Sequence, residues 1–347
     1  MRPTELLIET PAGLYCPPGD FTIDPLRPVS RALITHAHSD HARGGHGSVL
    51  ATAETLDIMA VRIGAGFSAS RQVAALGQSL RIGEVNVTFH PAGHVLGSAQ
   101  IAVQIGGLRI VASGDYKRAP DPTCRPFEVV PCDVFITEAT FGLPVFRHPD
   151  ALAEIGRLLA SREMFPGRAH LVGAYSLGKA QRLIALLRQA GYDRPVYLHG
   201  AVAKVTRYYA SVGAPLGDIR DVDLRERGKL GGEIVICPPS ALLDLWSRKF
   251  PDPVHAAASG WLRVRARARQ GGVELPLVIS DHADWPELTR TIGETGCREV
   301  WVTHGQEDAL VHWARGQGLV ARPLRLAFTG DDAEEPAGTP AKSEALL

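Results

Sequence analysis

The chain has 347 residues, 45% of them hydrophobic, which suits one large or two ordinary domains and excludes a natively disordered chain. Lys plus Arg and Asp plus Glu both number 37, so the formal net charge is zero and any surface for a polyanion must be local. The five cysteines (Cys16, Cys124, Cys132, Cys237 and Cys297) form no Cys-x-x-Cys pair, no apolar run reaches the roughly 18 residues of a membrane span, and residues 1–15 lack a secretory leader; reduced thiols, no membrane partner and cytoplasmic residence are therefore expected.

Residues 1–140 read as short strands between Gly/Pro turns, at 31–35, 85–90, 101–105 and 109–112, with a helix at 53–63. Each apolar run ends in a polar loop that carries His or Asp, where functional groups commonly sit. From 149 the pattern becomes a helix at 150–161 capped by Asp150, a strand at 170–173, a helix at 178–190, a strand at 195–198, a helix at 202–209 and a strand at 233–237. That alternation implies a parallel α/β unit. Residues 261–269 alternate with period two, predicting a strand with Arg263, Arg265, Arg267 and Arg269 on one face. Such a face suits a phosphate backbone, and equally a solvated edge protected from aggregation. Short buried strands follow at 275–280 and 299–303, and the Pro/Ala-rich tail from 331 is expected to be disordered.

The strongest chemical signal is His36-Ala37-His38-Ser39-Asp40-His41, directly after the strand at 31–35. Three imidazoles and a carboxylate within six residues have metal-ligand chemistry. Alternate side chains of a loop leaving a strand can serve two ions, His36 and His38 the first, Asp40 and His41 the second. Three later segments have the shape to complete such a site: His94 in a Gly-flanked loop, Asp115 after Ser113-Gly114, and His304 after a late strand. Asp115 has two oxygens with which to bridge two ions, and two metals with open positions suit phosphodiester hydrolysis.

This order of motifs resembles the metallo-β-lactamase superfamily, which implies an αββα sandwich. By that resemblance His36, His38, His94 and Asp115 hold one metal, and Asp40, His41, Asp115 and His304 the other. Asp24, in Phe21-Thr22-Ile23-Asp24-Pro25, matches the family's first acidic motif and would orient the site from behind the ligands.

Further residues resemble the β-CASP nucleases, whose α/β domain is inserted into the sandwich. Glu138, in Ile136-Thr137-Glu138, matches the acidic motif that opens the insert; His282, in Ser280-Asp281-His282-Ala283-Asp284, matches the second motif and His304 the third. Ser176-Leu177-Gly178-Lys179 looks like that group's Gly-Lys/Arg turn, where backbone amides and the Lys179 charge could hold a phosphate. The implied domains are 1–148 for the first part of the metallo-β-lactamase domain, 149–270 for the insert, 271–330 for the return segment and 331–347 for the tail. The implied chemistry is attack by water activated between two zinc ions (manganese as the alternative), with His282 and Asp40 catalytic and Glu138 orienting His282.

The family most resembled is the bacterial DNA ligase-associated exonucleases, implying a DNA substrate and a functional association with an ATP-dependent DNA ligase and a helicase. A histidine at the third motif, His304, is common in RNA-processing members such as ribonuclease J, which keeps RNA as the alternative. A small-molecule hydrolase on the same metals is a further reading, but such an enzyme needs neither the insert nor Glu138.

Overall fold

The structure is a computed structural model that describes residues 1–223, 225–264 and 272–324. Its first sheet runs in order Ile8–Thr10, Gly13–Cys16, Phe21–Ile23, Arg31–Leu33, His46–Ala51, Ser68–Val73. The second has seven strands, in order Val320–Pro323, Glu299–Gly305, Val134–Ala139, Leu108–Ala112, Ala99–Ile105, Val85–Pro91, Ser79–Ile82. The two sheets enclose one apolar core, with Leu14, Phe21, Ile23, Leu33 and Leu50 from the first meeting Val87, Phe89, Ile101, Val103, Ile110 and Ile136 from the second.

The strand period of two supplies the outer layers. Ala32, Val49 and Ala51 face away from that core, toward Ile58 and Met59 of the helix Ala53–Ile63. Thr52 caps this helix by accepting from the Thr55 amide. On the far face of the second sheet, Val111, Phe135 and Val300 pack against Leu288, Ile292 and Leu310 of the helices Trp285–Thr295 and Glu307–Gly316. The layers are thus helix, sheet, sheet, helix.

A third sheet of six parallel strands is built wholly from residues 170–277, in order Ile219–Asp221, Val196–Leu198, Ile234–Cys237, His170–Gly173, Val254–Ala258, Leu275–Leu277. The helices Ala151–Met164, Lys179–Gln189 and Gly200–Ser211 accompany it. Leu183, Leu187, Val202 and Tyr209 belong to the same apolar cluster as Ile58 and Met59, so the core continues across the seam between sandwich and insert.

Two expectations are corrected. The return segment expected from 271 takes in Leu275–Leu277, but this strand pairs in parallel with Val254–Ala258 as the edge of the third sheet; a short apolar run says nothing about which sheet it joins. The strand expected at 261–269 begins instead as a 3-10 turn, Gly260–Arg263, because the Ser259 hydroxyl accepts from the Trp261 amide and Leu262 turns inward. Arg263 is exposed on that turn, and Arg265, Arg267 and Arg269 lie outside the described residues, as does the tail from 331. Among the described residues no helix is long and apolar enough to cross a membrane.

Candidate metal centre

Loops at the ends of sandwich strands bring together residues far apart in the chain. His36, His38, His94 and Asp115 can each present a ligand atom within 4.8 Å of the others, and Asp40, His41 and His304 form a second such group beside them. Asp115 lies between the groups: its Oδ2 is 3.5 Å from Nε2 of both His36 and His41. Gly114, at φ +56°, lets that loop close on Thr35, whose side chain a Cβ at this position would meet at 2.7 Å.

One nitrogen of each of four imidazoles is held from behind, which leaves the other to face inward. Asp24 Oδ2 lies 2.7 Å from His41 Nδ1 and also accepts the Thr35 hydroxyl at 2.6 Å, and Thr35 Oγ1 lies 3.0 Å from His36 Nδ1. His38 Nε2 meets the Leu177 carbonyl at 3.2 Å, and His94 Nδ1 meets the Asp281 carbonyl at 2.9 Å. Partners of this kind fix tautomer and ring angle in metal sites. Asp24 and His304 both adopt positive φ, +42° and +60°, a conformation uncommon for side-chain-bearing residues and frequent at functional sites.

The donor set fits metal ions. His36 Nε2, Asp40 Oδ1 and Asp115 Oδ1 are buried without a hydrogen-bond partner. Two inward nitrogens, His38 Nδ1 and His94 Nε2, face each other at 3.0 Å, close to the roughly 3.3 Å that separates two donors on one tetrahedral zinc. Burial depresses the His36 imidazole well below its usual range and His94 to about 3, so both are neutral, the form that ligates. Burial opposes ionisation of Asp40 and Asp115, but the surrounding imidazoles outweigh it and hold both carboxyls low. At His41 burial is overcome by Asp115, Asp40 and Asp24, which push the ring upward: a cation is favoured at this point.

Beside the ligands, His282 Nδ1 lies 2.9 Å from Glu138 Oε2, and Glu138 Oε1 accepts the Tyr116 amide at 2.7 Å. Burial alone would lower the His282 ring, but Glu138 and Asp115 raise it to about 10. A cavity of about 700 Å³ adjoins the same loop, lined among others by Lys117, His148, Arg182, Ser280, Asp284 and Glu287.

The Ser176–Gly178–Lys179 turn does not present itself as a phosphate cradle. The Gly178 amide donates to Gln181 Oε1, the Lys179 amide to the Leu177 carbonyl and the Ala180 amide to the Tyr175 carbonyl. Lys179 is fully buried, with Nζ 3.2 Å from Asp281 Oδ1. Sequence reasoning assigned no role to Thr35, Asp281 or the Leu177 carbonyl. Thr35 and Asp281 do stand one residue before the ligand motif and before His282, whereas a backbone carbonyl carries no residue signature at all.

An αββα sandwich with this His/Asp cluster at its strand ends defines a metallo-β-lactamase-fold protein, here with an α/β insert. No family model matches the chain. It is 31% identical over 314 residues to a "Probable DNA ligase" of Opitutus terrae, covering 89% of this chain and 30% of the relative. It is 32% identical over 220 residues to "Endoribonuclease YSH1" of Mycosarcoma maydis (53% of this chain, 24% of the relative), and 33% identical over 122 residues to "Cleavage and polyadenylation specificity factor 73" of Drosophila melanogaster (35% and 17%). The chain spans less than a third of the length of each of these relatives. In structure it is similar to a protein of unknown function from Enterococcus faecalis, with a TM-score of 0.55, 14% identity, and 78% and 74% of the two chains covered. These similarities support a chain of the metallo-β-lactamase/β-CASP nuclease type, related to the relative named a DNA ligase.

Proposed function

We propose that the chain is a metal-dependent phosphodiesterase that hydrolyses nucleic acid, acting as a DNA exonuclease in repair. The observation that carries this reading is the Glu138–His282 pair set against two adjoining clusters of ligand atoms. Two zinc ions, or manganese, are the proposed occupants: the first at His36, His38, His94 and Asp115, the second at Asp40, His41, Asp115 and His304. When bound, such ions neutralise phosphoryl charge and make water nucleophilic near neutral pH.

The remaining work falls to the side chains. Asp24 orients His41 directly and His36 through Thr35. Glu138 accepts from Nδ1 of His282, which leaves Nε2 for the substrate. As water oxygen adds to phosphorus and gives up a proton to solvent, the bond to the leaving sugar oxygen breaks and the Nε2 proton of an imidazolium passes to that oxygen. Arg263 remains a candidate backbone contact on its exposed turn.

A DNA substrate and a functional association with a DNA ligase are supported by the relative named a DNA ligase. RNA processing is the second reading, favoured by His304 and by the relatives named endoribonucleases. Digestion of end-labelled single- and double-stranded DNA and RNA, with defined 5′ and 3′ ends, tests both with zinc- and manganese-loaded protein. Stepwise release of mononucleotides from DNA is expected. Faster cleavage of RNA would move the assignment to the second reading, and no cleavage of either polymer would overturn both.

A further inference from the structure

The site in the sandwich is completed by the insert. Of the four residues in the first ligand cluster, two are held from outside by groups that lie against the start of the helix Lys179–Gln189. The Leu177 carbonyl, two residues before that helix, holds Nε2 of His38 and so turns Nδ1 inward toward His94. The Asp281 carbonyl holds Nδ1 of His94, and the Asp281 carboxylate is in turn 3.2 Å from the ammonium of Lys179. Lys179 is 0% exposed, so its charge serves the interior.

One turn further along the helix the arrangement recurs. Arg182, also buried, approaches the carboxylate of Asp121 at 3.4 Å, in the loop that leaves Asp115. Immediately before Lys179 the backbone itself is close to the ligand loop. A Cβ on Gly178 would lie 2.3 Å from Val95 Cγ1, beside His94. Buried ion pairs of this kind seldom add net stability, because desolvation offsets the attraction; their best-attested use is to fix register.

We infer that residues 177–179, the turn that opens the helix Lys179–Gln189, are a clamp that sets the rings of His38 and His94, so that docking of the insert and loading of the first metal are one coupled equilibrium, with Lys179 as the positioning residue on the His94 side. Coupling of this kind is reciprocal: an ion at the first cluster tightens the seam to the same degree that the closed seam tightens the ion. The second cluster, Asp40, His41 and His304, takes its support from Asp24 within the sandwich and stands outside the clamp. The inference rests on the proposal that both clusters bind metal.

The test is zinc titration of the full chain against a chromophoric chelator, with stoichiometry measured by elemental analysis and folding by circular dichroism. Lys179→Met keeps most of the length of the side chain, removes its charge and strands the Asp281 carboxylate. It is expected to weaken the first ion by about 10- to 100-fold, as loss of an outer partner commonly does, and to leave the second within about twofold. Lys179→Met combined with Asp281→Asn removes the stranded charge but keeps the carbonyl on His94, and is expected to restore most of the affinity.

Should Lys179→Met fail to fold, hydrogen exchange on the wild-type chain decides. Zinc is expected to slow the amides of residues 178–182 at least tenfold relative to chelator-treated protein, and no zinc-dependent slowing overturns the inference. A folded Lys179→Met that takes both ions at wild-type affinity overturns it too, and leaves the nuclease reading intact. A wild-type chain that binds neither zinc nor manganese overturns both.

Discussion

Glu138 Oε2 and His282 Nδ1 lie 2.9 Å apart although 144 positions separate them. The other oxygen of Glu138 accepts the amide of Tyr116, the residue after Asp115. One buried carboxylate therefore ties the proposed acid to a proposed metal ligand.

His282→Ala is expected to lower the rate of phosphodiester cleavage by about 10²- to 10⁴-fold, the usual range for a positioned general acid. The metal content should stay at the wild-type value. Paired rate and elemental measurements check this; near-wild-type cleavage at full metal content would remove His282 from the mechanism.

Glu138→Gln should change the pH profile rather than merely the rate. The Glu138 charge, with Asp115, is what overcomes burial and raises the His282 ring. An acid is active below its pKa and fails as pH rises through it. Without the Glu138 charge that pKa falls, so the alkaline limb of kcat/KM should move to lower pH. An unmoved limb would show that another group sets it.

Asp24→Asn should act on metal uptake. Asp24 accepts from both the Thr35 hydroxyl and its amide while it holds His41, so the change disturbs His41 directly and His36 through Thr35. Loss of about 10- to 100-fold in affinity is expected, from the typical effect of an outer partner. Chelator competition measures it, and unchanged affinity for both ions would leave Asp24 with a folding role only.

His148 should report on acid stability. Burial first, then the charges of Lys117 and Lys179, keeps its ring well below the ordinary imidazole range, so it is neutral in the folded protein. In the unfolded chain it titrates near about 6.5. The unfolded chain thus takes up a proton that the fold refuses, and stability is full above that pH and lost below it. His148→Phe, in a ring already packed on Phe141 at 4.6 Å, should gain on the wild type as pH drops from about 7 to about 5. Urea unfolding across that range tests this; a difference independent of pH would exclude the titration.

Much of the site could be read directly because its residues declare their chemistry. His36, His38, Asp40 and His41 are contiguous, and His94, Asp115, His282 and His304 each follow an apolar strand, so motif and strand end could be seen together. The helix at 53–63 and the strand at 170–173 were legible for the same local reason: period and caps lie within the segment. The edge strand Leu275–Leu277 was not, since its partner is Val254–Ala258 and nothing within three residues names it.

Lys179 marks the boundary between the two kinds of information. Its charge beside a glycine at a helix start reads as a phosphate contact, yet it is sealed inside against Asp281. Side-chain type determined, from the sequence alone, that this chain has imidazoles and carboxylates suited to metal ions and a segment suited to a parallel sheet. The tertiary structure alone decided which charges meet water and which backbone carbonyls hold His38 and His94, because those contacts arise only when the insert docks on the sandwich and excludes solvent between them.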